Sequence, residues 1–346
     1  MAHNTNPTVA PETTQATVSI TSPQPIRAHW TDRLITVAQF NAVGGLGLII
    51  NALPIFLTLA TRLRRSEVNI MIVNLTMAEF LLCCSFVFGQ TFYILWHEQL
   101  PPEGCDFLGF FHFVMAFASF VFPPVLAINR YVCLHHNHRY RSIYTKRRVL
   151  AMMGACWAFC TLVPFVFMLA GKTAYDEDNH HCCMVVHGDV GWSVAYWLLI
   201  IAPLLIFCDG AAVYCNYQIY RKLYIHDETT KQRLSNSVVR NNKEILYFLI
   251  ADMIFPICFH TTYHIFKFIL VGRTSEFLKR FFISLYLVNS ILRGLVTVIL
   301  LRPYRLATMR MFCHVGGGLM SNYSLPPSNR QTAFELAQYP RTSGKE

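Results

Sequence analysis

Seven stretches of this chain stay apolar for longer than a membrane-crossing helix requires, and that pattern excludes most folds before any other residue is considered. They run at roughly 34–60, 68–95, 106–134, 148–170, 192–220, 245–270 and 280–301. Each exceeds the ~20 residues an α-helix needs to cross the hydrocarbon core. Inside a bilayer only helices and closed barrels satisfy their own backbone groups, and runs of this length are helical. Composition agrees: of 346 residues, 54% are hydrophobic and only 14% charged, against ~25% charged in soluble domains. One soluble core would leave that excess as exposed apolar surface. A disordered chain, a collagenous or coiled-coil rod and a disulfide scaffold are ruled out, and an ordinary cytosolic enzyme fits poorly. The expected architecture is an all-α membrane protein, a seven-transmembrane helix bundle with no internal repeat.

Seven spans place the two ends on opposite sides of the membrane. The net charge of +10 does not point to nucleic acid, because the basic residues lie in short clusters between apolar runs. Arg62, Arg64 and Arg65 follow the first span; Arg139, Arg141, Lys146, Arg147 and Arg148 separate the third and fourth; Arg221, Lys222, Lys231, Arg233, Arg240 and Lys243 separate the fifth and sixth. These loops are expected in the cytoplasm. The opposite loops carry Glu98, Glu103, Asp176, Glu177, Asp178 and Asp189; only the third, with Arg273, Lys279 and Arg280, dissents. Residues 1–33 read as an extracellular tail without a signal-peptide pattern, 34–301 as the bundle, and 314–346 as a disordered cytoplasmic tail. Between them, 302–313 alternates basic and apolar residues at near-helical spacing, as in a short amphipathic helix on the membrane surface, with Cys313 a lipidation candidate.

Of twelve cysteines, Cys105, Cys182 and Cys183 face outward. A bridge from Cys105 to Cys182 or Cys183 would pin the loop before span five over the bundle mouth. The neighbouring His180, His181 and His187 admit a metal reading as the minor alternative. Function is sought among the intramembrane polar residues, since an unpaired ionisable group at that depth costs roughly 2.5 kcal/mol or more. Glu79, Arg130, Asp209, Asp252 and Arg293 are the main cases. Pro123 and Pro124 should kink span three unless neighbours satisfy the carbonyls they free.

In order and at spacing, these landmarks resemble the rhodopsin-like (class A) G-protein-coupled receptors. Asn51, the run Asn74-Leu75-Thr76-Met77-Ala78-Glu79, Cys105 with Arg130 25 residues later, Asn129-Arg130-Tyr131, Trp157, Pro203 and Pro256 carry the likeness. Between Ala127 and Pro203 the chain is also similar to melatonin receptors and to the insect Moody and trapped-in-endoderm receptors, which share the Asn-Arg-Tyr variant. The resemblance implies a plasma-membrane receptor whose Asn129, Arg130 and Tyr131 face a heterotrimeric G protein, with arrestin as a further partner and no cofactor.

Departures from the family pattern are equally specific. Span six carries Met253-Ile254-Phe255-Pro256 without the family's tryptophan, and in span seven Arg293, Gly294 and Thr297 replace Asn/Asp, Pro and Tyr. The family's sodium-holding pocket would have Glu79 and Arg293 facing each other, so an ion pair bordered by Ser119, Asn289 and Ser290 is expected to displace the ion. His112 stands where amine receptors keep an aspartate. The other ligand-pocket candidates implied by the resemblance are Phe113, Ala116, Trp192, Ala195, Ile257, Thr261, His264 and Ile283, a largely apolar set. That set suits a non-amine small molecule or a lipid, with a peptide as an alternative. A signalling-dead decoy is the runner-up within the fold. A zinc hydrolase built on His135-His136-Asn137-His138 lacks acidic partners, and a channel or transporter would need a polar stripe or paired broken helices.

Overall fold

A lipid-facing exterior and a polar seam at the centre organise the molecule. The computed structural model describes residues 26–96, 101–169, 173–176, 181–184, 198, 202–225, 236–263 and 276–315. Span one comprises the helix Ile26–Gln39, a π-turn at Phe40–Gly44 and the helix Gly45–Ala60. Span two runs Glu67–Cys84, through a π-turn Ser85–Gln90, to Thr91–Trp96. Span three is Pro102–His135 and span four Lys146–Leu169. Span five covers Ala202–Tyr220 and the π-turn Arg221–Ile225. Span six runs Asn236–Phe255 into the π-turn Pro256–Thr261, and span seven is Glu276–Leu300. A short helix, Asn137–Ile143, joins spans three and four, and the helix Arg302–Val315 follows span seven. Among the described residues, five helices are long and apolar enough to cross a membrane.

Span three is the axis of the bundle. Of its apolar window 83% is buried, against 33% in span one and 22% in span four. The residues the bundle leaves outside are apolar, Ile49 at 71%, Phe207 at 74% and Leu162 at 61% exposure among them. A lipid solvent removes the penalty such side chains would meet in water.

Close helix approach depends on two glycines. A Cβ at Gly47 would lie 2.6 Å from Cys83 Sγ, and one at Gly294 would lie 2.7 Å from Asn51 Oδ1. Asn51 has no room to yield, because its Nδ2 donates to the Gly47 and Ser290 carbonyls at 2.9 Å each. Glycine at 294, where the family has proline, lets spans one and seven touch backbone to side chain. Trp157 Nε1 ties span four to span two by donating to Asn74 Oδ1 at 2.9 Å.

Several helix ends differ from the sequence expectation. The first helix starts at Ile26, inside the stretch 1–33 read as tail. Its extra turns are held against the start of span seven by the Arg280–Asp32 ion pair at 2.9 Å and by Gln39, which donates to the Arg280 carbonyl and to Ser284 Oγ. Span six starts at Asn236, so Arg240 and Lys243, counted as loop, stand on its first turns. The helix after span seven reaches Val315. It is anchored by Tyr304, fully buried, whose hydroxyl meets Thr58 Oγ1 at 2.9 Å, while Met309 and Phe312 remain exposed.

Candidate functional site: a buried ionic centre between two polar ends

Glu79 on span two is fully buried and Arg293 on span seven is 2% exposed. In hydrocarbon neither could remain charged alone. They meet: Arg293 Nη1 donates to Glu79 Oε1 at 2.5 Å. Ser119 Oγ on span three donates to the same oxygen and Ser290 Oγ on span seven to Oε2, both at 2.5 Å. Three donors from spans three and seven thus surround one carboxylate on span two. Asn289, expected at the border of this pair, is buried, but among the described residues its amide finds no hydrogen-bond partner.

The structure adds a third member, an acid that the sequence singled out without giving it a partner. Asp252 on span six is 2% exposed, and its Oδ1 lies 3.0 Å from Arg293 Nε. That contact is ionic without hydrogen-bond alignment, since neither atom has a hydrogen-bond partner among the described residues. Arg293 Nη1 also donates to the Ser119 carbonyl at 2.7 Å and Nη2 to the Asp252 carbonyl at 3.3 Å. Asp209 on span five lies within electrostatic reach of the same guanidinium. One cation therefore serves two buried carboxylates directly.

At one end of the bundle, Cys105 is disulfide-bonded to Cys182, the first of the two partners left open. Cys182 sits in strand β2, His181–Met184, paired antiparallel with β1, Thr173–Asp176. Gln90, fully buried on span two, closes the other edge of this hairpin. Its Nε2 donates to the Cys182 carbonyl at 2.9 Å, and its Oε1 accepts from the Cys182 N–H at 2.7 Å. A side-chain amide thus substitutes for a third strand.

Beneath the hairpin, His112 is 8% exposed, with Nδ1 3.2 Å from Ser85 Oγ and its ring 4.8 Å from Phe86 and 5.9 Å from Tyr286. Ala116 and Ile283 pack in this same cluster with Tyr263 and Tyr286, whereas Phe113 belongs to the larger inner core. Ile257 is 37% exposed and outside both clusters. Thr261 is half-buried, its hydroxyl without a hydrogen-bond partner among the described residues. Trp192, Ala195 and His264 lie outside the described residues. Phe86, Ser85 and Tyr286 were missed; the i, i+3 spacing of Ile283 and Tyr286 puts both on one helix face and was the available signal.

At the opposite end of span three, Arg130 is 6% exposed and hydrogen-bonds Cys133. Asn129 Nδ2 donates to the Tyr140 hydroxyl at 3.3 Å. Burial pushes that hydroxyl above its ordinary pKa, so it stays neutral. Tyr131 bonds Tyr214 and stacks on His135 at 4.6 Å, while His135 Nε2 is 3.3 Å from the Gln218 carbonyl. Lys222 reaches the Leu134 carbonyl at 2.5 Å. Spans three and five are thereby joined around the Asn-Arg-Tyr run. Among the described residues, no three His, Cys, Asp or Glu side chains converge as metal ligands.

Residues 50–293 match a family model described as the 7 transmembrane receptor (rhodopsin family). Similar curated proteins include G-protein coupled receptor 68 of Mus musculus, 25% identical over 63% of this chain and 58% of its own length. Galanin receptor type 1 of Rattus norvegicus is 25% identical over 58% of this chain and 60% of its own. Melatonin receptor type 1B-B of Danio rerio is 23% identical over 60% and 59%. The chain thus spans under two thirds of each of these relatives.

Proposed function

This chain belongs to the rhodopsin family of seven-transmembrane receptors, and on that premise we propose that it carries an extracellular signal across the plasma membrane to a heterotrimeric G protein. The supporting observation is the inner end of span three, where Arg130 stands buried among Cys133, Tyr140 and the span-five contacts. In this reading the amino terminus lies outside, the basic loops lie inside, and the helix Arg302–Val315 rests on the inner leaflet with Cys313 its lipidation site. A ligand binding from outside shifts the bundle only as far as its affinity differs between the two arrangements.

The ligand proposed is a non-amine small molecule or a lipid. His112, with Ser85, Phe86 and Tyr286 around it, offers a polar handle in an aromatic wall where a protonated amine would need a carboxylate. The relatives' names cite both galanin and melatonin, so a peptide remains the second reading. The similarity to melatonin receptors makes indoles the first small molecules to screen.

Expressed with a panel of heterotrimers, the receptor is expected to promote nucleotide exchange on at least one. Arg130→Ala should abolish that exchange while leaving the amount of folded protein unchanged. If no heterotrimer responds under any lipid, indole or peptide, the decoy reading replaces this one. A second expectation concerns sodium. Arg293 occupies the charge position that a bound cation would take, so replacing sodium chloride with choline chloride should leave the thermal midpoint unmoved. A sodium-dependent rise in the midpoint would show that the ion still binds.

A further inference from the structure

An α-helical carbonyl accepts from the N–H four residues on, and proline has no N–H to give. Pro123 therefore leaves the Ser119 carbonyl without its helical donor, and Pro256 does the same to the Asp252 carbonyl. These are the two backbone oxygens to which Arg293 donates, at 2.7 and 3.3 Å. In hydrocarbon an unmet carbonyl costs several kcal/mol, and here one guanidinium on a third helix meets both. Span three runs unbroken through Pro123 and Pro124. Span six passes at Pro256 into a π-turn, which lies one helical turn past the carbonyl that Arg293 holds.

We propose that Arg293 is a positioning residue that clasps two proline hinges, and that letting go of the Asp252 hinge is what frees the inner half of span six to swing. The fork geometry makes this specific. Nη1 spans Glu79 and the Ser119 carbonyl, while Nη2 and Nε face the carbonyl and carboxylate of Asp252. A lysine at this position would keep the positive charge but not the four directions. Asp252 is held by backbone and side chain together, so span six cannot bend at Pro256 without breaking both contacts. The clasp itself stands on the contacts alone; its role in switching rests on the receptor reading above.

The test is a double-mutant cycle on the purified full chain in nanodiscs. Pro256→Ala restores an N–H to the Asp252 carbonyl and should make part of the clasp redundant. The fall in thermal midpoint caused by Arg293→Lys is then expected to be about halved in the Pro256→Ala background, whereas Pro203→Ala on span five should not change it. Genetically encoded labels at Arg64 and Tyr247 should report a longer separation in Arg293→Lys, with basal nucleotide exchange raised about fivefold or more. Additive midpoints overturn the clasp whatever the labels report. A longer separation without raised exchange upholds the clasp and sinks the receptor reading. If Arg293→Lys does not fold, Pro256→Ala is placed instead on the neutral variant Glu79→Gln/Asp252→Asn/Arg293→Gln. It should raise that variant's midpoint more than it raises the parent's, and an equal rise overturns the clasp.

Discussion

Arg293→Gln is expected to remove most of the folded protein. The change strips the counterion from two carboxylates, Glu79 and Asp252, that are buried at 0% and 2% exposure. Removing one partner of a buried ion pair costs ~3–5 kcal/mol, a large share of the ~5–15 kcal/mol that holds a typical domain together. The glutamine amide can replace one or two of the guanidinium's bonds, but none of its charge. Yield by size exclusion of the detergent-extracted protein should fall sharply, and any material recovered should melt earlier. Neutralising the partners as well, with Glu79→Gln and Asp252→Asn, should recover part of the yield, because the charges rather than the volume impose the cost. A single variant that expresses and melts like the parent would mean that cavity water solvates these carboxylates independently of Arg293.

Cys182→Ser carries the second large effect. The Cys105–Cys182 bridge closes a separation of 77 residues, for which the chain-entropy relation gives about 4.5 kcal/mol. That figure is an upper bound here, since span four and the inner loop lie within the closed loop and membrane insertion already restrains them. Gln90 holds the same residue by its backbone, so the hairpin should loosen rather than detach. The expected outcome is a loss of surface display and faster hydrogen exchange at residues 181–184. Cys183→Ser should leave both unchanged, with alkylation mass shifts still reporting an oxidised Cys105. Loss of the bridge in Cys183→Ser instead would reassign the pairing.

Much of this protein was legible before any coordinates. Span number followed from runs too long and too apolar for a soluble helix, and the pairing of Glu79 with Arg293 followed from the family resemblance, which sets those two positions face to face, joined to the cost of leaving either charge bare in hydrocarbon. The pairing of Cys105 was narrowed to two adjacent residues but not decided. Neighbours in a strand point to opposite faces, and which of the two faced the bundle depended on hairpin register. Gln90 carried no signal at all. Glutamine at an outer helix end is ordinary, and only the approach of the β2 backbone gives its amide a partner.

Asp252 shows where the limit lies. Its type and depth marked it as significant, yet one sequence holds no statement of which helix faces which, so its partner had to come from packing. The prolines sharpen the point: that Pro123 and Pro256 each free a carbonyl four residues back follows from covalent structure alone. That a single arginine, distant in the chain, reaches both freed oxygens follows from the angles at which spans three, six and seven cross. Chain chemistry determined which groups needed partners, because the cost of a bare polar group in lipid belongs to the group itself. Only the tertiary arrangement decided who the partners are, because a hydrogen bond exists at about 3 Å or not at all.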